Sequence, residues 1–325
     1  MITKASFLLT QETNPYKNLA LEEFLLMNCQ PGECILYLWQ NRNTVVIGRN
    51  QNCWKECNVS QLEKDGGFLV RRLSGGGAVY HDMGNLNFTF LVRKEDYNVD
   101  RQMNVIIRAM QLLGIHAEKT GRNDATVDGR KFSGNAYYET GDHCYHHGTL
   151  LIQTDTRKMS RYLQVSREKL QSKGVNSVRS RVANLCEFCP DCNVDMVSHS
   201  MRQAFGEIYQ LPVEDFGRER LDEAVLEQSR ERFSSWEWKY GRSIPFQHEL
   251  SRRFPWGEVQ IQLNVDGGII QMANVFSDSM DPDWAEQLKL SLEKQPYNQD
   301  AMCAALNSLP ENIRKDLQAL IRETV

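Results

Sequence analysis

Apolar and polar positions along this chain change period many times, and each change predicts an element. Leu19, Leu21, Leu25 and Leu26 recur at helical spacing behind an Asn14-Pro15 start, which predicts a first helix through about Asn28. Cys34 to Trp39 and Thr44 to Gly48 are β-forming runs, and the polar link Gln40-Asn41-Arg42-Asn43 predicts a hairpin between them. Ser60 is placed to cap a short helix through Lys64, ahead of an Asp65-Gly66-Gly67 turn and a strand over Phe68 to Arg72. Asn87 to Val92 alternates and predicts a further strand. Asp100 opens a helix with Val105, Ile106, Ala109, Leu112 and Leu113 on one face, and Gly114 stops it.

The next section returns to a period of two. Asp128-Gly129 predicts a tight turn between Thr126-Val127 and Arg130 to Phe132, and Tyr145 to Gln153 predicts a strand. Arg157 to Leu163, Ser166 to Gln171, Asp195 to Tyr209 and the charged run Glu219 to Phe233 read as helices. Beyond a boundary around Gly241 to Pro245, Glu258 to Val265 and Ile269 to Phe276 flank Asp266-Gly267-Gly268 as a hairpin, and helices follow from about Asp283. Strands interleaved with helices, several joined by hairpins, make this an α+β (mixed α/β) chain. A large domain over 1–244 carries a mixed, mostly antiparallel sheet flanked by helices, and a small α+β domain covers 245–325.

Composition narrows the function. The 325 residues are 41% apolar and 25% charged, as in soluble globular proteins. With 38 basic against 42 acidic side chains, the net charge of −4 excludes a general nucleic-acid binder, so any phosphate site is local. No window approaches the roughly twenty apolar residues of a membrane span. The N-terminal MITKASFLLTQETNPYKN has neither a signal-peptide apolar region nor an arginine-rich transit pattern, which predicts a cytoplasmic protein with no membrane partner. Nine cysteines, an odd number scattered through a long chain, predict reduced thiols.

Little of the stretch Arg71 to Phe90, RRLSGGGAVYHDMGNLNFTF, looks chosen for packing. Gly75, Gly76 and Gly77 forfeit side-chain burial and offer positive φ, close approach to a ligand and a row of backbone N–H groups. Two arginines precede them with planar donor forks suited to phosphate. The stretch is neither G-x-x-x-x-G-K-[ST] nor a G-x-G-x-x-G that opens a helix, so it matches neither standard nucleotide loop.

RRLSGGGAVYHDMGN, GRNDATVDGRKFSGNAYYE (Gly121 to Glu139) and HHGTLL (His146 to Leu151) together resemble the lipoate–protein ligase family, in its order and approximate spacing. NLALEEFLL (Asn18 to Leu26), VVIGRNQNCWKECN (Val45 to Asn58), KGVNSVRSRVANL (Lys173 to Leu185) and SSWEWKYG (Ser234 to Gly241) extend the resemblance over most of the chain. It implies a two-step reaction. Lipoate and ATP give lipoyl-AMP and pyrophosphate, and a lysine of an acceptor then takes the acyl group. The acceptors it implies are apo lipoyl domains of 2-oxoacid dehydrogenase complexes and the glycine-cleavage H protein.

The same resemblance assigns nucleotide contacts to Arg72 and to Gly77, Ala78, Val79 and Tyr80. Lys131 stands where the family has its essential lysine, and its ammonium would bridge the lipoate carboxylate and the α-phosphate. Asn123 and Asp124 add hard oxygen donors at the nucleotide, with Asp124 the expected Mg²⁺ ligand. Ser74, Gly76, His81 and His147 join Lys131 as expected lipoate contacts, and octanoate is a possible second acyl substrate. Two readings compete with an adenylating ligase. One is a transferase that uses a preformed acyl donor, with Cys144 beside His146 and His147 as a thiol to test. Another is a non-catalytic lipoate-binding protein. Separately, Cys186, Cys189 and Cys192, with His199, have a spacing that zinc would suit.

Overall fold

The computed structural model describes residues 1–120, 124–164, 182–241 and 245–325. The helix expected over Ser166 to Gln171 lies outside these. Contacts divide the chain into two compact units. One comprises Met1–Val46, Trp54–Val70 and Ala78–Ser235, and the other Ile47–Cys53, Arg71–Gly77 and Trp236–Val325.

The strands up to residue 215 are β1 (Lys4–Leu9), β2 (Glu33–Trp39), β3 (Thr44–Ile47), β4 (Phe68–Arg71), β5 (Val79–His81), β6 (Asn85–Arg93), β7 (Glu118–Thr120), β8 (Asp124–Val127), β9 (Arg130–Thr140), β10 (His143–Leu151) and β11 (Val213–Asp215). Eight of them form one sheet in the order β11-β1-β2-β6-β10-β9-β8-β7. β1 runs parallel to both β11 and β2, and every other pair in the sheet is antiparallel. The expected mixed, mostly antiparallel sheet is thus observed. A smaller sheet has the order β4-β3-β5.

The pleat divides the large sheet into two unlike faces. Leu36, Leu38, Leu86, Phe88, Phe90 and Leu150 point to one side, where Val105, Ile106 and Ala109 of the helix Val99–Leu112 and Met201, Ala204 and Phe205 of the helix Val194–Tyr209 close a hydrophobic core. The opposite face, toward the helix Pro15–Met27, carries Tyr37, Trp39, Asn87, Thr89, His147 and Thr149 in register. All are buried except Thr149, which is half-buried.

The hairpin expected between Cys34 and Gly48 does not form. β2 already has β1 on one edge and β6 on the other, so β3 pairs with β5 in the smaller sheet. The link is held instead by Asn41, fully buried, whose side chain bonds Asn18 and His81. Two caps also differ from expectation. Asn98 caps the helix Val99–Leu112 by accepting from the Arg101 N–H at 2.9 Å, which leaves Asp100 in the first turn, and Asn58 replaces Ser60 at the helix Val59–Lys64. The Asp128-Gly129 turn forms as expected, with φ of 49° and 72°.

In the second unit, β12 (His248–Phe254), β13 (Gly257–Asp266) and β14 (Ile269–Ser277) form an antiparallel sheet, with Gly267 and Gly268 at the β13–β14 turn. Val259, Ile261, Leu263 and Ile270 pack under Trp284, Leu288, Leu317 and Ile321 of the helices that follow. β12 escaped the sequence reading because it is an edge strand, and Glu249, Arg252 and Arg253 blunt its apolar signal.

Candidate active site

Lys131 owes its placement to an irregularity. The register between β8 and β9 shifts at Ala125/Thr126, so Lys131 stands opposite Thr126 while Asp124 stands opposite Gly134. The lysine side chain folds back over that bulge. Its ammonium lies 2.6 Å from Asp124 Oδ1, with the two side chains 22% and 19% exposed. A Cβ at position 134 would come within 2.7 Å of Lys131 Nζ, so the lysine side chain lies over the bare Cα of Gly134 and would have to shift for any other residue. The strand carrying Lys131 is braced on its other side, where the Ala183 N–H donates to the Lys131 carbonyl at 2.9 Å. The geometry gives a held, half-buried cation whose partner is a carboxylate.

The polar face of the sheet bears a chain of buried hydrogen bonds. Trp39 Nε1–H donates to Thr89 Oγ1 at 3.2 Å, Thr89 donates to Glu22 Oε1 at 2.7 Å, and the same oxygen lies 2.8 Å from His147 Nδ1. Glu22 is 1% exposed, a buried carboxylate that needs both partners. A second chain runs from Tyr37 Oη to Asn18, then to Asn41 and on to His81 Nδ1, where the Asn41 amide is 3.2 Å away. Trp39 meets His81 edge to face at 6.2 Å between ring centres. His147 and His81 therefore do join structured polar networks of the first unit.

Glu22, Asn18, Trp39 and Asn41 are members that the sequence reading missed. A signal for the first two was present: Asn18 and Glu22 lie four apart on the buried side of a helix, where polar residues are unexpected, while Leu21 is only half-buried. The adjacent His146 has a different role. It faces the core, bonded to Asn135 at 2.8 Å and Gln102 at 3.2 Å, and burial pulls its pKa down to about 3. Val79 and His81 alternate with Tyr80, whose hydroxyl donates to Asn43 Oδ1 at 3.0 Å and whose ring packs on Tyr162, so its side chain is occupied in packing.

The glycine loop is built differently. Gly76 takes the expected positive φ, 87°, and its N–H donates to the Ser279 carbonyl at 2.8 Å, so one amide of the row is already engaged. Gly75 is required by close approach, since a Cβ there would lie 2.3 Å from the Ser279 oxygen. Arg72, 6% exposed, turns its fork onto the loop itself: Nε donates to Ser74 Oγ at 3.0 Å, and Nη2 to the carbonyls of Gly75 at 2.6 Å and Gly77 at 2.9 Å. Ser74 is fully buried and its carbonyl accepts from the Arg49 N–H at 2.9 Å. Ala78 begins the first unit's return segment and is half-buried.

Asn123 lies outside the described residues. Among those described, no group of three or more His, Cys, Asp or Glu side chains could hold a metal, and this includes Cys186, Cys189, Cys192 and the exposed His199. Asp124 alone is a single carboxylate, which fits Mg²⁺ held chiefly by phosphate oxygens. Cys144 is fully buried on the core face, and its thiol is pushed up to about 11 by burial and by Glu139.

Known proteins share this architecture. Residues 14–206 match the family model of the lipoyl protein ligase A/B catalytic domain, and 243–322 match the bacterial lipoate protein ligase C-terminus. The chain belongs to the lipoate–protein ligase family. Lipoate-protein ligase A of Psychrobacter cryohalolentis is 40% identical over 316 residues, 94% of this chain and 93% of that one. The same enzyme of Bdellovibrio bacteriovorus is 41% identical over 94% and 92%. Among solved structures, P. falciparum LipL1 in complex with lipoate has a TM-score of 0.86 at 28% identity, covering 98% of this chain and 99% of its own. A lipoate-protein ligase A bound with ATP has a TM-score of 0.65 at 25% identity, over 74% and 99%. The protein is thus an enzyme, a lipoate–protein ligase.

Proposed function

We propose that this ligase uses Lys131 to activate lipoate on ATP and then passes the acyl group to a lysine of an apo lipoyl domain. The observation that carries the assignment is the Lys131–Asp124 pair over Gly134: a positioned ammonium whose present partner is an anion it can exchange for another. In the first step a lipoate carboxylate oxygen attacks the α-phosphorus and the bond to pyrophosphate breaks. Two anions must approach each other, and the Lys131 charge offsets their repulsion and the charge that develops on the phosphoryl oxygens. In the second step the acceptor amine attacks the acyl carbon, and AMP leaves with the bonding pair.

The other assignments follow the same reading. Arg72 and the run from Gly77 through Tyr80 bind nucleotide. For Arg72 this requires that phosphate oxygens share or replace the carbonyls that its fork now meets. Ser74, Gly76, His81 and His147 serve lipoate, with Glu22 orienting His147. When bound, Mg²⁺ would neutralise phosphate charge, with Asp124, and Asn123 beside it in sequence, as its protein ligands. Lipoyl domains of 2-oxoacid dehydrogenases and the H protein are the acceptors, octanoate is a second acyl substrate, and the setting is the cytoplasm. Residues 1–244 form the catalytic domain and 245–325 the accessory one, with Arg71–Gly77 grouped with the latter by contact.

The test is pyrophosphate release that needs both lipoate and ATP, followed by a lipoyl mass increment on an apo lipoyl domain. Acyl transfer to the domain without ATP, from an acyl carrier, would replace this reading with the transferase.

A further inference from the structure

Arg71 and Arg72 are neighbours in sequence, yet their guanidinium groups do different things. Arg71 is 7% exposed and its fork is enclosed by main-chain oxygens from two separate segments. Nε donates to the Trp238 carbonyl at 2.8 Å, and Nη2 to that of Lys239 at 2.8 Å. Nη1 meets the carbonyls of Gly48 at 3.2 Å, Arg49 at 2.8 Å and Gln51 at 2.7 Å. Among the described residues no carboxylate acts on it; the groups that do are Cys53 and Arg49. Carbonyl dipoles solvate a cation without neutralising it, so a full positive charge remains buried at the base of the glycine loop. Burial draws its pKa down only to about 10, so it stays protonated at neutral pH.

The contact with Trp238 is reciprocal, because the indole N–H donates to the Arg71 carbonyl at 2.8 Å. The Arg49 guanidinium lies 5.3 Å from the Trp238 ring centre. From there the loop is pinned at intervals: Arg72 N–H to the Ile47 carbonyl at 3.0 Å, Arg49 N–H to Ser74 at 2.9 Å, and Gly76 N–H to Ser279 at 2.8 Å. Gly48 completes the fit, since a Cβ there would lie 2.1 Å from the Gly76 oxygen. Two arginines, one tryptophan and the 48–51 turn therefore define where the loop amides point.

We propose that Arg71, locked to Trp238, is the positioning residue of the glycine loop, and that its carboxylate-free charge serves the polyphosphate of the nucleotide. It acts through the loop and touches no substrate. The proposal rests on the adenylation reading and deepens it. Lysine at position 71 would keep the charge but concentrate its donors at one nitrogen, which cannot span five carbonyls from two segments.

The experiment measures pyrophosphate release with ATP and lipoate varied separately, in wild type, Arg71→Lys and Trp238→Phe. Arg71→Lys should raise KM for ATP by about tenfold or more while KM for lipoate stays within about twofold. Trp238→Phe, which keeps the ring and loses one N–H, should raise KM for ATP by about three- to tenfold, and it carries the test if the lysine variant does not fold. ATP should also change tryptophan emission in wild type, and that change should be lost in Trp238→Phe. Unchanged KM for ATP in Trp238→Phe, or equal rises for both substrates, would overturn the assignment. Wild-type protein that releases no pyrophosphate would sink the adenylation reading and this inference with it.

Discussion

Successive residues of β6 and β10 face opposite environments, and the two faces of the large sheet follow different rules. On one, Leu86, Phe88, Phe90 and Leu150 lie in a hydrophobic core, and even the polar His146 sits there beside the amides of Gln102 and Asn135, where burial disfavours its charged form. On the other, Asn87, Thr89, His147 and Thr149 alternate with them, and Glu22 and Asn18 come down from the first helix to meet that row. A shift of one residue would exchange the two sets. The HHGTLL motif thus sets one histidine in the core and the next beside Glu22 on the opposite face of the sheet.

The sharpest way to break this comparison is to cut one large side chain from each system. Lys131→Ala should lower pyrophosphate release by on the order of 10²–10³-fold with the melting temperature unchanged, because it removes charge where anions meet. Phe90→Ala should do the reverse. It is fully buried against Phe205 and His146, so its loss should cost about 3–5 kcal/mol of stability, while the protein that remains folded keeps its KM values. Near-normal turnover in the lysine variant would remove it from catalysis, and altered KM values in the phenylalanine variant would mean that the faces are not independent.

Half of this division was legible in the sequence. The alternation of Asn87 to Val92 predicted a strand with two faces, and the family motifs pointed to Lys131, His81 and His147. Other parts were hidden because they depend on partners distant in the chain. Nothing near Gln40 says that β2 has both edges taken, so a polar four-residue link read as a hairpin. Asn18 and Glu22 stand four apart among apolar neighbours of the first helix, a signal in the sequence, but their partners Tyr37, Thr89 and His147 lie on distant strands. Arg71 and Arg72 are identical in local context, and the five carbonyls that separate them come from residues 48–51 and 238–239. Gly134 could be placed in a motif from sequence, but its contact with the Lys131 ammonium is three-dimensional.

A smaller effect sharpens the contrast between the paired histidines. His146 has a folded pKa of about 3 against an ordinary 6.5, so above pH 6.5 it is neutral in both states and its contribution is fully present. As pH falls below 6.5 the unfolded chain takes up a proton that the folded one refuses. Stability should then drop by up to ~1.4 kcal/mol per pH unit until the folded value is reached. Carboxylates such as Glu33, held at about 2 from an ordinary 4.5, with the Arg220 guanidinium the strongest stabilising influence against burial, lose their contribution at lower pH, so the window between 6.5 and 4.5 isolates histidine. His143, also lowered by burial, adds to the slope. Denaturant melts across that window should be flatter for His146→Gln than for wild type. Equal slopes would show that His146 is protonated in the fold.

The smallest expected effect is the most useful for choosing between mechanisms. Cys144 is two residues from His146 and three from His147, which on sequence alone suggests a thiol and its base. The pleat argues against that pairing with His147, because the thiol points into the core while the His147 ring points to the polar face. The thiol faces Glu139, with Sγ 3.9 Å from Oε2, and a carboxylate at that distance disfavours a thiolate. Burial and that carboxylate together hold the thiol near 11, so almost none is ionised at neutral pH. Cys144→Ser should therefore leave ATP-dependent lipoylation within about twofold of wild type, at a stability cost of roughly 1–2 kcal/mol for a hydroxyl in an apolar setting. An acyl group trapped on Cys144 by mass spectrometry, and lost with turnover in the serine variant, would mean that this core face takes part in the chemistry after all.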